Sequence, residues 1–460
     1  NGSRNDWATA GFFGRINYSY DGKYLLEANL RADGTSRFRK GNQWKTFPSF
    51  SLGWNVAREH FFEPLNNIVN ILKFRASYGL LGNQNTTNWY QTYQTMSVGS
   101  SNGAWLMNGN KPNTASAPGL VSASLTWETI ESYNLGLDWG VFNNRLTGSF
   151  DWYIRDTKNM VGNAPELPAL LGTGVPITNN TDLRTSGWEL SIGWNDRLNN
   201  GFTYGAKFNV SDARTKITRY PNNPTKAVST YIEGRYTNEI WGYTTVGLAK
   251  TDEEMQAHLA TMPNGGQSAL GSDWKAGDIM YADINGDGKI SGGSGTLNDT
   301  GDWTVIGNTT PRYLFGLDLN ASWKGFDLRM FFQGVMKRDF WQGSTYLFGA
   351  SNSGMWHATG IESVSDYFRN DDTWSVQEGY QSPNINSYLP RPLYSNKNLQ
   401  TQTRYLQSAA YIRLKNLQLG YTFPTRLTSR YGVQNLRIYF SGENLWTGTS
   451  LVDQFDPETI

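Results

Sequence analysis

The densest chemistry in this sequence lies in one octet, Asp283-Ile284-Asn285-Gly286-Asp287-Gly288-Lys289-Ile290. Side-chain oxygens at its first, third and fifth positions (Asp283, Asn285, Asp287), a glycine at the sixth and the Lys289 carbonyl at the seventh match the first two-thirds of an EF-hand loop, where such oxygens converge on one hard cation. Gly288 permits the sharp bend that convergence needs. The twelfth position, where an EF-hand carries a bidentate Glu, is Ser294, so a last ligand would have to come from Asp299 or Asp302. The expectation is calcium in a structural role, stiffening a loop; the competing reading is an Asp/Asn/Gly turn that needs no metal. Adjacent carboxylates at Glu253-Glu254 and Asp371-Asp372 raise glycoside hydrolysis, which needs two acids about 5–9.5 Å apart across a sugar. Neighbouring acids in a polar loop are more simply solvated, and no enzyme is expected.

Other catalytic sets are missing. With no cysteine, thiolate nucleophiles, disulfides and Cys-ligated zinc are excluded. Three scattered histidines, His60, His258 and His357, do not suggest a metal cluster. A formal net charge of +1 gives no basic face for nucleic acid. Loop aromatics remain: Trp89, Tyr90, Trp105, Trp341, Tyr346, Trp356 and Trp374 could stack on sugar rings or peptide side chains, or pack against neighbouring loops.

What positions these loops is a strand pattern. Aromatic residues make up 14% of the chain while its mean hydropathy is −0.54, a combination that suggests rings alternating with small polar groups. Phe50, Leu52, Trp54 and Val56 alternate with Ser51, Gly53 and Asn55; Leu72, Phe74, Ala76 and Tyr78 with Lys73, Arg75 and Ser77; Tyr133 to Trp139, Trp188 to Trp194 and Phe202 to Val210 repeat the period. Period 2 over about ten residues, recurring roughly a dozen times, is a strand signature. Segments of about 9–11 residues suit tilted membrane crossings, whereas soluble strands average about 5–6. Trp and Tyr near the segment ends suit interfacial girdles. No apolar run reaches the 18 residues of a helical span, and the opening Asn1-Gly2-Ser3-Arg4 shows no signal-peptide pattern.

The opposite face carries Arg15, Asn17, Glu27, Asn29, Arg31, Lys73, Arg75, Asp138, Asp151, Glu189, Lys207, Asp318, Asp327 and Arg329. In a barrel these would line a wet lumen or touch a plug. The Asp21-Gly22-Lys23 stretch predicts a three-residue turn, since a two-residue turn would put the apolar rows of its two strands on opposite faces. Long polar inserts at about 82–126, 156–185, 213–310 and 337–405 are expected on the extracellular side, with the short turns periplasmic. Within one insert, Thr251 to Met262 predicts a short helix with an acidic first turn.

Several stretches, in order, resemble the SusC/RagA family of TonB-dependent transporters from Bacteroidetes. They include Asn17-Tyr18-Ser19-Tyr20, Arg31-Ala32-Asp33-Gly34-Thr35-Ser36-Arg37-Phe38, Leu72-Lys73-Phe74-Arg75-Ala76-Ser77-Tyr78-Gly79, Gly277-Asp278-Ile279, Lys324-Gly325-Phe326-Asp327-Leu328, Tyr411-Ile412-Arg413-Leu414-Lys415-Asn416 and Asp456-Pro457-Glu458. The resemblance implies an all-β antiparallel transmembrane barrel, with residues 1–460 forming part of a 22-strand wall in the outer membrane. It also implies import of oligosaccharides or peptides, a SusD-like surface lipoprotein as lid, and energy delivered by TonB with its inner-membrane complex. No plug domain or energy-coupling segment is recognisable in these residues, so they are expected to belong to a longer protein. Two other functions stay open: a TonB-dependent receptor for a metal chelate or vitamin, and a soluble β-rich carbohydrate-binding protein. Arg31 to Phe38 and the Asp283 loop favour the importer.

Overall fold

An alternating sequence can put every large side chain on one side of a strand and every small or polar one on the other. The computed structural model describes residues 5–460 apart from 85, 87–88, 100–105, 116, 167, 169, 171, 342 and 344–361. Twelve strands form one antiparallel sheet in sequence order. They are β1 (Thr9–Tyr20), β2 (Tyr24–Thr35), β3 (Trp44–Asn55), β4 (Val69–Asn83), β5 (Glu128–Val141) and β6 (Leu146–Asn163). The second half comprises β7 (Ile177–Arg197), β8 (Thr203–Arg219), β9 (Arg312–Trp323), β10 (Phe326–Lys337), β11 (Tyr411–Thr422) and β12 (Arg437–Thr449). Each pairs with its neighbours in sequence; among the described residues, β1 and β12 are each paired on one side.

The register keeps like beside like. Leu52 stands opposite Ala76, Ala76 opposite Leu135, Leu135 opposite Trp152 and Trp152 opposite Trp188. Leu190 faces Val210, which faces Phe315, and Leu319 faces Met330, which faces Leu417. On the other side, Lys73 stands opposite Asp138, Asp151 opposite Glu189 and Lys207 opposite Asp318. The rows Trp188, Leu190, Ile192, Trp194 and Phe326, Leu328, Met330, Phe332 therefore share one apolar face, as expected. A bulge in the β10–β11 pairing between Phe331 and Phe332 keeps Phe332 beside Leu414. Leu52 and Leu135 are 56% and 55% exposed, so this face is not a core packed within the chain. At its short-turn end, ring pairs Tyr20–Tyr24, Trp54–Phe74 and Phe326–Tyr421 sit 6.4, 6.3 and 4.6 Å apart. At its other end, Tyr78 and Tyr133 lie 5.0 Å apart. Two aromatic belts thus bracket the apolar band.

The first turn has three residues. Tyr20 pairs directly with Tyr24, and the Lys23 N–H donates to the Tyr20 carbonyl at 2.9 Å. Asp21 and Gly22 take left-handed φ values of 49° and 61°. Because the meander alternates direction, the connections 21–23, 56–68, 142–145, 198–202, 324–325 and 423–436 share one end. The connections 36–43, 84–127, 164–176, 220–311 and 338–410 share the other. The predicted insert 156–185 is too wide: residues 156–163 and 177–185 extend β6 and β7, and 213–219 extend β8. Beyond the apolar band, charged pairs such as Arg184–Asp156 at 2.7 Å replace rings across the ladder, so strand pairing continues where apolar periodicity stops. Inside the 220–311 connection, α1 spans Asp252–Ala260; the Thr251 Oγ caps it by accepting from the Glu254 N–H at 3.2 Å.

Candidate functional site

The long-loop end holds a folded body, which the sequence presents as two unrelated inserts. Tyr243, Met255, Trp274, Ile279, Tyr281 and Ile290 from the 220–311 connection pack with Phe368, Leu389 and Tyr405 from the 338–410 connection in one buried cluster. Two small ladders support it. Thr245–Leu248 pairs with Ile279–Tyr281, and Asp339–Trp341 pairs with Leu406–Ser408. Burying backbone this way leaves polar groups to satisfy, and two glutamines do so. Gln267 accepts from the Tyr281 N–H at 2.6 Å and donates to the Ile279 carbonyl at 3.0 Å, while Gln402 donates to the Asn398 carbonyl at 2.8 Å.

Asp278 is the electrostatic bolt of this body. It is fully buried, and it accepts from Arg391 Nε and Nη2 at 2.8 and 2.9 Å, from Lys397 Nζ at 2.8 Å and from Asn398 Nδ2 at 2.8 Å. Burial by itself would raise its pKa, but the bonds from Arg391, Asn398 and Lys397 outweigh that and hold the carboxyl below the usual carboxylate range. Gly277, at φ 84°, brings the chain so close to Phe368 that an added Cβ would lie 2.4 Å from the ring. The sequence did single out Gly277-Asp278-Ile279, but no periodicity links it to partners more than a hundred residues away.

The Asp283 loop is built largely from its own backbone. Asp283 accepts from the Gly286 and Gly288 N–H groups at 2.7 and 2.8 Å, and Asp287 accepts from the Lys289 N–H at 3.1 Å. Asn285 Nδ2 donates to Asp287 at 3.2 Å. Asp302 is fully buried behind the loop and accepts from the Ile284 and Ser291 N–H groups at 2.8 and 2.9 Å. Burial raises its pKa, and the nearby Asp283 charge pushes the same way. Asp299 instead accepts from the Ser294 N–H at 2.8 Å. Asp283 and Asp302 are thus joined through the loop backbone, but among the described residues no three acidic or histidine side chains converge as a metal-holding group, and Asp299 is tied to the following turn.

The candidate aromatics divide. Trp374, on a four-residue helical turn, is 67% exposed and lies 5.6 Å from Tyr380, itself 71% exposed, with the two rings tilted at 43°. Tyr90 packs edge-on against Tyr93 and exchanges hydrogen bonds with the Asp6 backbone. Trp89 is half-buried nearby, and Trp341 packs against the loop body. Trp105, Tyr346 and Trp356 lie outside the described residues, as does His357. Asp371 and Asp372 are exposed in a turn, and Glu254 is engaged at the helix start, its carboxylate accepting from the Lys250 N–H at 2.6 Å.

Below the loop body, the polar face of the wall is cross-linked. Arg75 bridges Asp138 and Asp151 through four bonds of 2.9–3.0 Å, and Arg329 reaches Asp318 at 2.7 Å. The residues after β12 fold back over this face: Arg413 binds Asp456 at 2.6 Å and Glu458 at 2.5 Å, and Lys415 binds Glu458 at 2.9 Å. Two separated sequence motifs, Arg413-Leu414-Lys415 and Asp456-Pro457-Glu458, are thus one contact.

Comparison with known proteins agrees with this architecture. The family described as TonB dependent receptor-like, beta-barrel, matches residues 1–334. TonB-dependent receptor P3 of Formosa agariphila is 30% identical over 99% of this chain and 42% of its own length. TonB-dependent receptor SusC of Bacteroides thetaiotaomicron is 27% identical over 94% of this chain and 40% of its own. The solved structure of the RagAB peptide transporter superposes with a TM-score of 0.74 at 23% identity, covering 98% of this chain and 45% of that one. The chain spans about two-fifths of the length of the curated relatives it matches. An apolar sheet face bracketed by aromatic belts, a polar face behind it and a family match over most of the chain lead to one conclusion: this chain belongs to the TonB-dependent receptor-like β-barrels of the outer membrane.

Proposed function

We propose that the chain is part of the wall and mouth of an outer-membrane active importer of oligosaccharides or peptides. It would work with a SusD-like surface lipoprotein and be energised through TonB. The observation that carries this reading is the loop body. A single buried core bolts two long connections into one platform at the mouth, directly above a polar, ion-paired lumen face. Such a platform can hold a lid or cargo without disturbing the strands beneath. Likeness to SusC and to the RagAB peptide transporter supports the cargo class.

In this reading the exposed Trp374–Tyr380 pair offers π-faces to sugar rings or cargo side chains, and Tyr90 with Trp89 forms a second patch. Trp105, Tyr346 and Trp356 are further candidates by type alone, and Trp341 is the one better used as packing. The Asp283 loop would hold calcium through Asp283, Asn285, Asp287 and the Lys289 carbonyl, with Asp302 behind them. Carboxylate oxygens that already accept one amide keep further lone pairs for a cation. The cation would stiffen the mouth and take no part in chemistry; this chain is read as a transporter, not an enzyme. The test is uptake of labelled oligosaccharides and peptides by cells carrying the full-length protein, intact or lacking part of residues 362–400. Loss of uptake with a barrel still present in the membrane is expected. Unchanged uptake of every cargo in the deletion would overturn the role of the loop body.

A further inference from the structure

The inward face of the wall is cross-linked at two places and bare between them. The register carries one row of side chains from Asp138 on β5 through Ser149, Ser191, Asn209, Gly316 and Gln333 to Arg413 on β11. At one end Arg75 holds Asp138 and the neighbouring Asp151; at the other, Asp456 and Glu458 hold Arg413. The five residues between these clusters carry no charge.

The bare stretch is a groove of about 410 Å³, within the roughly 300–1,000 Å³ of small-ligand sites. Short side chains make it: the row on its other side carries Lys207, Asp318 and Phe331. Val335 and Tyr411, paired across β10 and β11, close it beneath the 338–410 connection. Glu189 and Ser211, from the next row, complete the polar lining. Among the described residues, none of Ser149, Glu189, Ser191, Asn209, Ser211 and Gln333 makes a side-chain hydrogen bond or ion pair. Asp151 stands opposite Glu189 but is taken up by Arg75 at 3.0 and 2.9 Å, so Glu189 supplies the groove's unpaired carboxylate. Glu189 and Asn209 are both exposed. The fold makes no use of these six groups, and they line one depression in the path of anything that passes below the loop body.

We propose that this groove is a binding station for a neutral oligosaccharide on its way through the barrel, with sugar hydroxyls donating to Glu189 and exchanging hydrogen bonds with Asn209, Gln333 and the three serines. The inference rests on the importer reading and narrows its cargo to a polyhydroxylated one. A carboxylate only accepts, whereas amides and serine hydroxyls both donate and accept. Sugar hydroxyls also do both, so a hydroxyl-rich ligand can engage all six groups at once. A basic side chain would meet one carboxylate among five neutral groups, and an anionic ligand would meet Glu189 without a cation to offset it. Many weak bonds along an open groove hold a ligand and still release it, which passage requires.

The test uses the full-length protein in detergent and measures retention by native mass spectrometry. The probes are a pool of neutral oligosaccharides from glucan, mannan and xylan hydrolysates, oligogalacturonides as anions, and trilysine as a cation. Wild type should retain members of the neutral pool over the other two. The double substitution Glu189→Gln/Asn209→Ala should weaken that retention about tenfold. Asn320→Ala, on the same face but outside the groove, should leave it as in wild type. Heat-modifiable migration on gels checks that each variant still forms its barrel. No retention of the neutral pool, preference for trilysine or oligogalacturonides, no effect of the double substitution, or an equal loss in Asn320→Ala would each overturn the proposal. Uptake by cells separates it from the importer reading: wild-type uptake together with unchanged retention in the double variant removes the groove alone, whereas no uptake of any glycan or peptide removes both.

Discussion

The wall and the loop body are built for two solvents. In the wall, large side chains stand open on one face and the backbone is satisfied strand to strand, which suits hydrocarbon. In the loop body, Tyr281, Tyr405, Met255 and Ile279 are wholly buried and the buried charges are paired, as in a water-soluble domain. The same chain passes from one regime to the other within a few residues of Arg219 and Arg312. Stability in the wall follows depth and facing; in the body it follows closure of a core.

The largest test of this contrast is Asp278→Ala. Lys397 would then be buried, and Arg391 half-buried, without their anion, and breaking a buried pair from one side costs about 3–5 kcal/mol. The body should become sensitive to brief proteolysis while the wall keeps its heat-modifiable migration; a variant that resists protease as wild type does would sever Asp278 from the stability of the body. Next comes Leu190→Arg, on the apolar face near mid-band, which should cost about 2–4 kcal/mol in barrel unfolding. Ser191→Arg, one residue away on the polar face, should cost far less, and equal costs would show that the two faces are assigned wrongly.

Acid should separate the regions next. The Asp278 carboxyl is held below its unfolded value of about 3.9. Its contribution is therefore complete above that value and is lost as pH falls through the lower, folded one. Protease resistance of the body should fall below about pH 4 while the wall's migration persists. The smallest expected effect is at the α1 cap. Thr251→Ala removes the acceptor for the Glu254 N–H and should cost about 1 kcal/mol, confined to the body.

Legibility in the sequence follows the same division. Lipid selects apolar residues at every second position, so the wall's rows, its facing and even the length of the Asp21 turn can be read from spacing. Where the strands rise past the lipid, Asp156, Lys158 and Arg184 take over, and pairing continues without the signal that announced it. The body was opaque for another reason. Asp278 meets Arg391 and Lys397 across separations of 113 and 119 residues, and nothing periodic marks such a meeting. The helix at Thr251 was visible because its cap and acidic first turn are local.

The way the body is tethered has a mechanical consequence. Its chain enters from β8, leaves into β9, returns from β10 and departs into β11, so four adjacent strands anchor it. A pull on the mouth would be shared by four parallel legs and would run along their axes, loading the hydrogen-bond ladders in shear instead of peeling one strand from the next. Shear must break many bonds at once, whereas peeling breaks them singly. The mouth can therefore bear force from above without unzipping the wall that holds it.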